Sequence, residues 1–152
     1  GNTTLSSNKL KAFNEYVDNY DLGGQDTIAH TNTDLAFSPN IIASAGLQYE
    51  PIKGMSIHFL GKHVGDQFLD NTSTQTRKLD AYTVFNLQVK YTLEEVLFEE
   101  MTFGLMVNNI FNEMYQNNGY TWGYVYGGER TDENFYYPQA GRNIMLRVLI
   151  KL

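Results

Sequence analysis

The chain has 152 residues, a formal net charge of -6 and 42% hydrophobic residues, enough for one folded domain and too apolar for a disordered polar segment. Its acidic balance excludes a general nucleic-acid binder, which needs a basic surface to displace counterions from phosphates. The absence of cysteine excludes disulfide scaffolds, thiol catalysis and Cys-based zinc sites. With 11 Tyr and 9 Phe against 1 Trp and 3 Pro, the composition suits strands, where aromatic rings pack well on a pleated surface. No run approaches the ~18 apolar residues of a membrane-spanning helix, a test that leaves open a barrel crossing with alternating strands. Gly1-Asn2-Thr3-Thr4 lacks the charged and apolar regions of a signal peptide, so the start reads as a cut inside a longer protein.

Successive side chains of a strand point to opposite faces, so a half-buried strand alternates apolar with polar. Leu10 to Val17 is the first candidate, loosely patterned. In 41–49, Ile41, Ala43, Ala45, Leu47 and Tyr49 oppose Ser44, Gly46 and Gln48. Met55, Ile57 and Phe59 then oppose Ser56, His58 and Lys62, and Phe85, Leu87, Val89 and Tyr91 oppose Asn86, Gln88 and Lys90. Phe103, Leu105 and Val107 oppose Thr102, Gly104 and Asn108. The last segment is the clearest: Ile144, Leu146, Val148, Ile150 and Leu152 are aliphatic, whereas Asn143, Arg147 and Lys151 fall on the other side. The pattern predicts an all-β fold, an antiparallel up-and-down meander of about six strands.

The connections alternate in length. Glu50 to Gly54 and the acidic turn Leu93 to Glu100 are short, whereas 18–38, 68–80 and 115–135 are long and rich in Asn, Asp, Thr and Gly. Short periplasmic turns and long external loops mark an outer-membrane barrel, and a periplasmic C-terminus puts every short turn on that side. Tyr49 and Tyr91 would then form one aromatic girdle, and Phe68, Tyr82, Phe111, Tyr115, Tyr136 and Tyr137 the other. A soluble antiparallel barrel binding a small ligand in its interior would show the same parity with inside and outside exchanged. The bulky polar set Asn86, Gln88, Lys90, Arg147 and Lys151 favours the wide wet lumen of a transmembrane barrel.

Few residues suggest chemistry. His58 and His63 fall on opposite faces of one strand and His30 lies in a predicted loop, so no metal site is expected. There is no Gly-x-Ser-x-Gly elbow, no His-Glu-x-x-His and no phosphate loop, and no catalytic residue or cofactor is predicted. The pairs Glu94-Glu95 and Glu99-Glu100 flank a turn rather than a shared cleft. Asp18, Asp21, Asp26 and Asp34 match no calcium-loop spacing and read as solvated loop charge. The candidate ligand-binding residues are Tyr120, Trp122, Tyr124 and Tyr126, which share one parity and would line up on one side of a β extension above the membrane. Such a ladder either stacks on the rings of a sugar or an aromatic siderophore, or stiffens a long hairpin by cross-strand packing.

Four runs carry a family resemblance: Gly61 to Thr72, Leu79-Asp80-Ala81-Tyr82, Val107-Asn108-Asn109-Ile110-Phe111-Asn112 continuing to Tyr115, and Tyr136-Tyr137-Pro138-Gln139-Ala140-Gly141-Arg142-Asn143. In order and spacing the chain, from about Asp34 to its end, resembles the C-terminal strands of TonB-dependent outer-membrane receptors. The resemblance implies a barrel of about 22 strands closed around an N-terminal plug. It further implies import of a siderophore, a vitamin such as cobalamin, haem or an oligosaccharide, with energy passed on by TonB. On that reading the whole chain, 1–152, is the C-terminal part of the barrel, without the plug, the earlier strands or the N-terminal segment that TonB grips. Its partners would be outer-membrane lipid, TonB through that missing segment and a small ligand. The isolated piece, with two unpaired edges, would be prone to pair with another copy. The family commonly ends in Phe, whereas Leu152 stands here.

Overall fold

In this computed structural model, which describes residues 1–94 and 99–152, every regular element among the described residues is a β-strand. In chain order these are β1 (Asn2–Leu5), β2 (Lys9–Asn19), β3 (Gly24–Asp34), β4 (Ile41–Tyr49), β5 (Met55–Val64), β6 (Gln67–Phe68), β7 (Lys78–Leu79), β8 (Tyr82–Glu94), β9 (Glu100–Asn108), β10 (Gln116–Tyr126), β11 (Glu129–Pro138) and β12 (Asn143–Lys151). Six of them form one antiparallel wall in the order β1-β4-β5-β8-β9-β12. The wall is open, with β1 and β12 at its edges. The expected up-and-down meander is therefore present, with hairpins inserted at one end.

Register carries the alternation across the whole wall. Tyr49, Ile57, Val89, Leu105 and Leu146 stand opposite one another in successive strands, and so do Leu47, Phe59, Leu87, Val107 and Ile144. A third row, Met55, Tyr91, Phe103 and Val148, completes an apolar belt. A one-residue slip anywhere would turn that strand's apolar side chains to the wet face, so the belt itself specifies the pairing. The belt is bare: Leu146 is 81% exposed and Leu47 74%. In a soluble barrel these side chains would fill the core. Here the buried apolar residues are instead Val17, Val64, Leu69, Leu79 and Tyr82, where the hairpins meet the top of the wall. The other face is concave, with a hollow of about 470 Å³ edged by Gln48, His58, Asn86, Gln88 and Asn108, with Leu60 and Met106 among them. Water on the concave side and hydrocarbon on the convex side is the arrangement of a barrel wall.

The long connections are not irregular loops. Each is a two-stranded extension: β2–β3 between β1 and β4, β6–β7 between β5 and β8, and β10–β11 between β9 and β12. Leu10 to Val17, expected as a wall strand, lies inside β2 and pairs with β3. The wall position beside β4 belongs to Asn2–Leu5, a strand too short to show a period. The reason lies in β2's residues, since Glu15, Asp18 and Asn19 would place charge and amides in a hydrocarbon belt.

The girdles need the same correction. Tyr49 and Tyr91 stand on the apolar face as expected, and Phe111 meets the belt residue Phe85 edge-on at 5.3 Å. Tyr82, however, shares the parity of Asn86 and Gln88, and is buried in a 4.3 Å stack on Tyr115. Phe68 lies in β6, with Lys78 Nζ 5.4 Å from its ring centre, and Tyr136 and Tyr137 lie in β11. At the opposite end Lys53 bonds Glu94 at 2.9 Å and Lys151 pairs with Glu99, while Glu95 lies outside the described residues.

The motifs behind the resemblance meet in space. Asn109 is 5% exposed and left-handed, with φ 51°, a conformation Asn tolerates better than most residues. Its N–H donates to Asn86 Oδ1 at 2.9 Å, its Nδ2 to the carbonyls of Glu113 at 2.9 Å and Ala140 at 3.3 Å, and its Oδ1 accepts from the Glu113 N–H at 2.8 Å. Asn112 Oδ1 accepts the Arg142 N–H at 2.9 Å. A Cβ on Gly141 would come within 2.7 Å of that same oxygen, so any larger residue there would have to displace the Asn112 amide. The Asn-Asn-Ile-Phe-Asn and Gln-Ala-Gly-Arg runs are thus two halves of one bolt at the base of the last hairpin.

Candidate functional site on the external hairpins

The hairpins β2–β3 and β10–β11 join into one four-stranded sheet in the order β11-β10-β2-β3. The seam between β10 and β2 is parallel and short, with Tyr124 beside Asp18 and Val125 beside Asn19. It is reinforced by the Tyr20 N–H, which donates to the Val125 carbonyl at 3.0 Å. The β10–β11 turn consists of Gly127 and Gly128, both at positive φ (65° and 79°), as a tight primed hairpin turn needs. Their amides converge on Asp21 of the neighbouring hairpin at 2.9 and 2.8 Å, and these two bonds, Gly128's first, hold its carboxyl below the usual range.

Parity separates this sheet into two faces of opposite character. The inner face carries Glu15, Val17, Asn19 and His30 with Thr121, Gly123, Arg130 and Asp132. At its centre Arg77, from the β6–β7 segment, is 3% exposed. Its Nη1 donates to Asp70 at 2.6 Å and Glu15 at 3.1 Å, and its Nη2 pairs with Asp132. Arg130 bridges Glu15 and Asp132, and His30 Nε2 lies 2.8 Å from Glu15 while its ring stacks on Phe13 at 4.9 Å. One guanidinium thereby ties all three hairpins together. Burial alone would raise the Glu15 carboxyl, but the hydrogen bonds from Arg130, His30 and Arg77 hold it at about 2. Burial works against the Arg77 charge, and the carboxylates of Asp70, Glu15 and Asp132 more than offset it, leaving its pKa raised.

The outer face carries the aromatic ladder. Tyr120, Trp122, Tyr124 and Tyr126 follow one another along β10, with Trp122 and Tyr124 at 5.0 Å and Tyr126 at the hairpin tip, 69% exposed. Tyr120 stacks on Phe135 at 4.7 Å and leans on Tyr137 at 6.3 Å. The sequence ladder is therefore real, and wider than its own strand. Tyr20 comes to 5.8 Å from Tyr124, and Tyr16, on the same side of β2, is 62% exposed. Tyr16 and Tyr20 share a parity in the sequence, and so do Phe135 and Tyr137, but it takes the seam to bring the first pair to the ladder and the β10–β11 register to bring the second. Below the seam β2 and β10 diverge, leaving a hollow of about 210 Å³ between Tyr16 and Trp122 that reaches through to the inner face, where Glu15, Asp70, Arg77 and Arg130 line it.

The remaining expected residues find local partners. Asp34 bonds Lys9 at 2.8 Å, Asp26 accepts from Asn19 at 2.8 Å and Asp18 from Gln25 at 2.9 Å. His30 sits in β3 rather than in a loop, because the acidic β2 strand opposite gives it Glu15 as a partner. His63 Nδ1 lies 2.9 Å from Thr83 Oγ1. Among the described residues no three His, Asp or Glu side chains are grouped to hold a metal ion.

A curved antiparallel wall, bare and apolar on its convex side, polar on its concave side and crowned by long hairpins, defines a piece of an outer-membrane β-barrel. More narrowly, the chain belongs to the TonB-dependent receptors: the family described as TonB dependent receptor-like, beta-barrel matches residues 2–110. Its place is the outer membrane. Among solved structures it is similar to the ferric-catecholate import receptor Fiu of E. coli K12 in its open form. That likeness has 16% identity and a TM-score of 0.55, and covers 90% of this chain and 17% of that one. It is likewise similar to the unliganded ferric citrate transporter FecA, at 18% identity and a TM-score of 0.56, over 80% of this chain and 19% of that one. At these identities the likeness is one of fold, and the chain spans less than a fifth of the structures it matches.

Proposed function

We propose that this chain is the C-terminal stretch of wall of a larger energy-coupled importer, and that the aromatic face of its external sheet touches the imported ligand. On this reading the plug and the remaining strands lie elsewhere in the parent protein, TonB engages a segment outside this chain, and the chain performs no catalysis. The imported ligand falls in the range the family resemblance implies: a siderophore, a vitamin, haem or an oligosaccharide.

The observation that carries the reading is the half-exposed ladder. Trp122 remains 45% exposed and Tyr120 48%, although each already has an aromatic neighbour. Rings needed only to stiffen the hairpin would bury more of their surface against each other, because burial is what makes aromatic packing favourable. A rigid sheet is also a better platform than a loose loop, since little conformational freedom is lost on contact. In the intact receptor, Trp122→Ala with Tyr124→Ala is expected to weaken ligand binding while the barrel reaches the membrane at normal levels. Unchanged affinity at normal barrel levels would remove the ladder from the binding site.

A further inference from the structure

The outer face has a charge pattern that narrows its ligand. Along Asn14–Tyr20 and Tyr120–Tyr126, with the facing residues of β3 and β11, the described side chains on this side include no Lys and no Arg. The charged groups here are acidic: Asp18 at the seam, Glu133 directly opposite Trp122, and Glu129 opposite Tyr126. The hollow itself is lined in part by the ion-pair hub, through Glu15, Asp70, Arg77 and Arg130, and the hub is acidic on balance as well. Glu15, Asp70 and Asp132 outnumber Arg77 and Arg130, and both guanidinium groups are already engaged by those carboxylates. A polyanionic ferric chelate would meet a net acidic surface whose two guanidinium groups are already paired with carboxylates, which disfavours it at short range.

The geometry favours flat rings over a compact cation. Tyr120 and Phe135 lie nearly parallel, at 13°, and Trp122 and Tyr124 meet at 36°. They form an open, stepped surface along one strand rather than the box of converging faces that encloses a quaternary ammonium. The hollow between Tyr16 and Trp122, about 210 Å³, has room for a ring-sized group. A sugar ring presents an apolar C–H face to an indole or phenol ring and hydroxyls at its edge. Asp18, which lines the hollow, is an acceptor-only group suited to those hydroxyls.

We infer that the outer face of the β11-β10-β2-β3 sheet binds an uncharged oligosaccharide, with Tyr16 and Trp122 flanking one sugar ring and Asp18 accepting its hydroxyls. This rests on the reading that the ladder is a ligand surface, and adds the ligand's chemical class. The test uses the intact receptor in detergent, titrated by calorimetry with three probes: a panel of neutral gluco-, manno- and galacto-oligosaccharides, a ferric tris-catecholate complex, and tetramethylammonium. The variants are Trp122→Ala, Trp122→Phe and Tyr16→Ala, each checked for the heat-resistant band of a folded barrel.

At least one neutral oligosaccharide is expected to bind, about tenfold more weakly in the folded Trp122→Ala and Tyr16→Ala proteins, as one lost ring contact would give. Trp122→Phe should recover part of that loss, and salt should change little, because no net charge is neutralised. If ferric tris-catecholate or tetramethylammonium, and no panel member, is the probe that Trp122→Ala weakens, the sugar inference is overturned while the ladder stands as a ligand surface. If no probe's affinity changes in any folded variant, both readings fall.

Discussion

Arg77 Nη1 lies 3.1 Å from Glu15 Oε1, although the two residues are 62 positions apart in the chain and belong to different hairpins. That contact, with the companion bonds to Asp70 and Asp132, makes Arg77 the joint of the whole external assembly. Glu15 in turn holds Arg130 and His30, so the joint is a connected set and not an isolated pair. Removing the hub should therefore be felt in β2, the β6–β7 segment and β11 together.

Arg77→Ala leaves three carboxylates facing one another with Arg130 as the remaining guanidinium. Loss of one partner from a buried pair costs roughly 3–5 kcal/mol in general. The expected outcome is faster amide exchange and easier proteolysis across β2–β3 and β10–β11, with the rows of the wall protected as before. Unchanged protection at Tyr20, whose N–H closes the seam, would show that the hub is dispensable.

The pH dependence has a defined sign. Glu15 is depressed from 4.5 to about 2 in the folded state, so its contribution is fully present above pH 4.5 and is lost as pH falls through about 2. Amide exchange of the external sheet, followed from pH 6 downward, should accelerate across that window. Arg130→Ala, which removes the strongest of the bonds lowering Glu15, should move the acceleration to higher pH. A profile unaffected by that substitution would contradict the assignment.

The two faces of the wall should respond oppositely to charge. Leu146→Arg puts a cation in the apolar belt, at a cost of about 2–4 kcal/mol near the middle of a bilayer and less toward its edges. Gln88→Arg puts the same cation beside water on the concave face and should be nearly neutral. Folding yields into lipid vesicles, read from heat-modifiable gel mobility, separate the two. Equal losses would mean that the belt does not face lipid.

Asn109→Ala removes a buried side chain that makes three hydrogen bonds and leaves a left-handed backbone to a residue that disfavours it. Net losses of about 1 kcal/mol per bond add to a penalty of about 1–2 kcal/mol for the backbone, so a destabilisation of several kcal/mol is expected. Denaturant unfolding of the refolded barrel is the measurement. Asn109→Gly, which relieves the backbone but not the bonds, should recover a fraction of the loss, and equal stability of the two variants would show that the backbone conformation costs nothing.

The sequence by itself determined the wall and its polarity. Alternation over nine residues, as in Ile144 to Leu152, admits essentially one register that keeps one side apolar, because a slip by one residue exchanges the faces. It also marked Tyr120, Trp122, Tyr124 and Tyr126 as a ladder, since side-chain parity within one strand is a local property. Only the tertiary structure decided where β2 belongs, because four residues at Asn2–Leu5 carry no readable period and Leu10 to Val17 alternates whether it stands in the wall or above it. The addition of Tyr16 and Tyr20 to the ladder, the burial of Tyr82 and the partners of Arg77 were likewise settled by contacts between distant segments. Such contacts depend on how hairpins lean together once the wall is formed, and no spacing along a single chain encodes that.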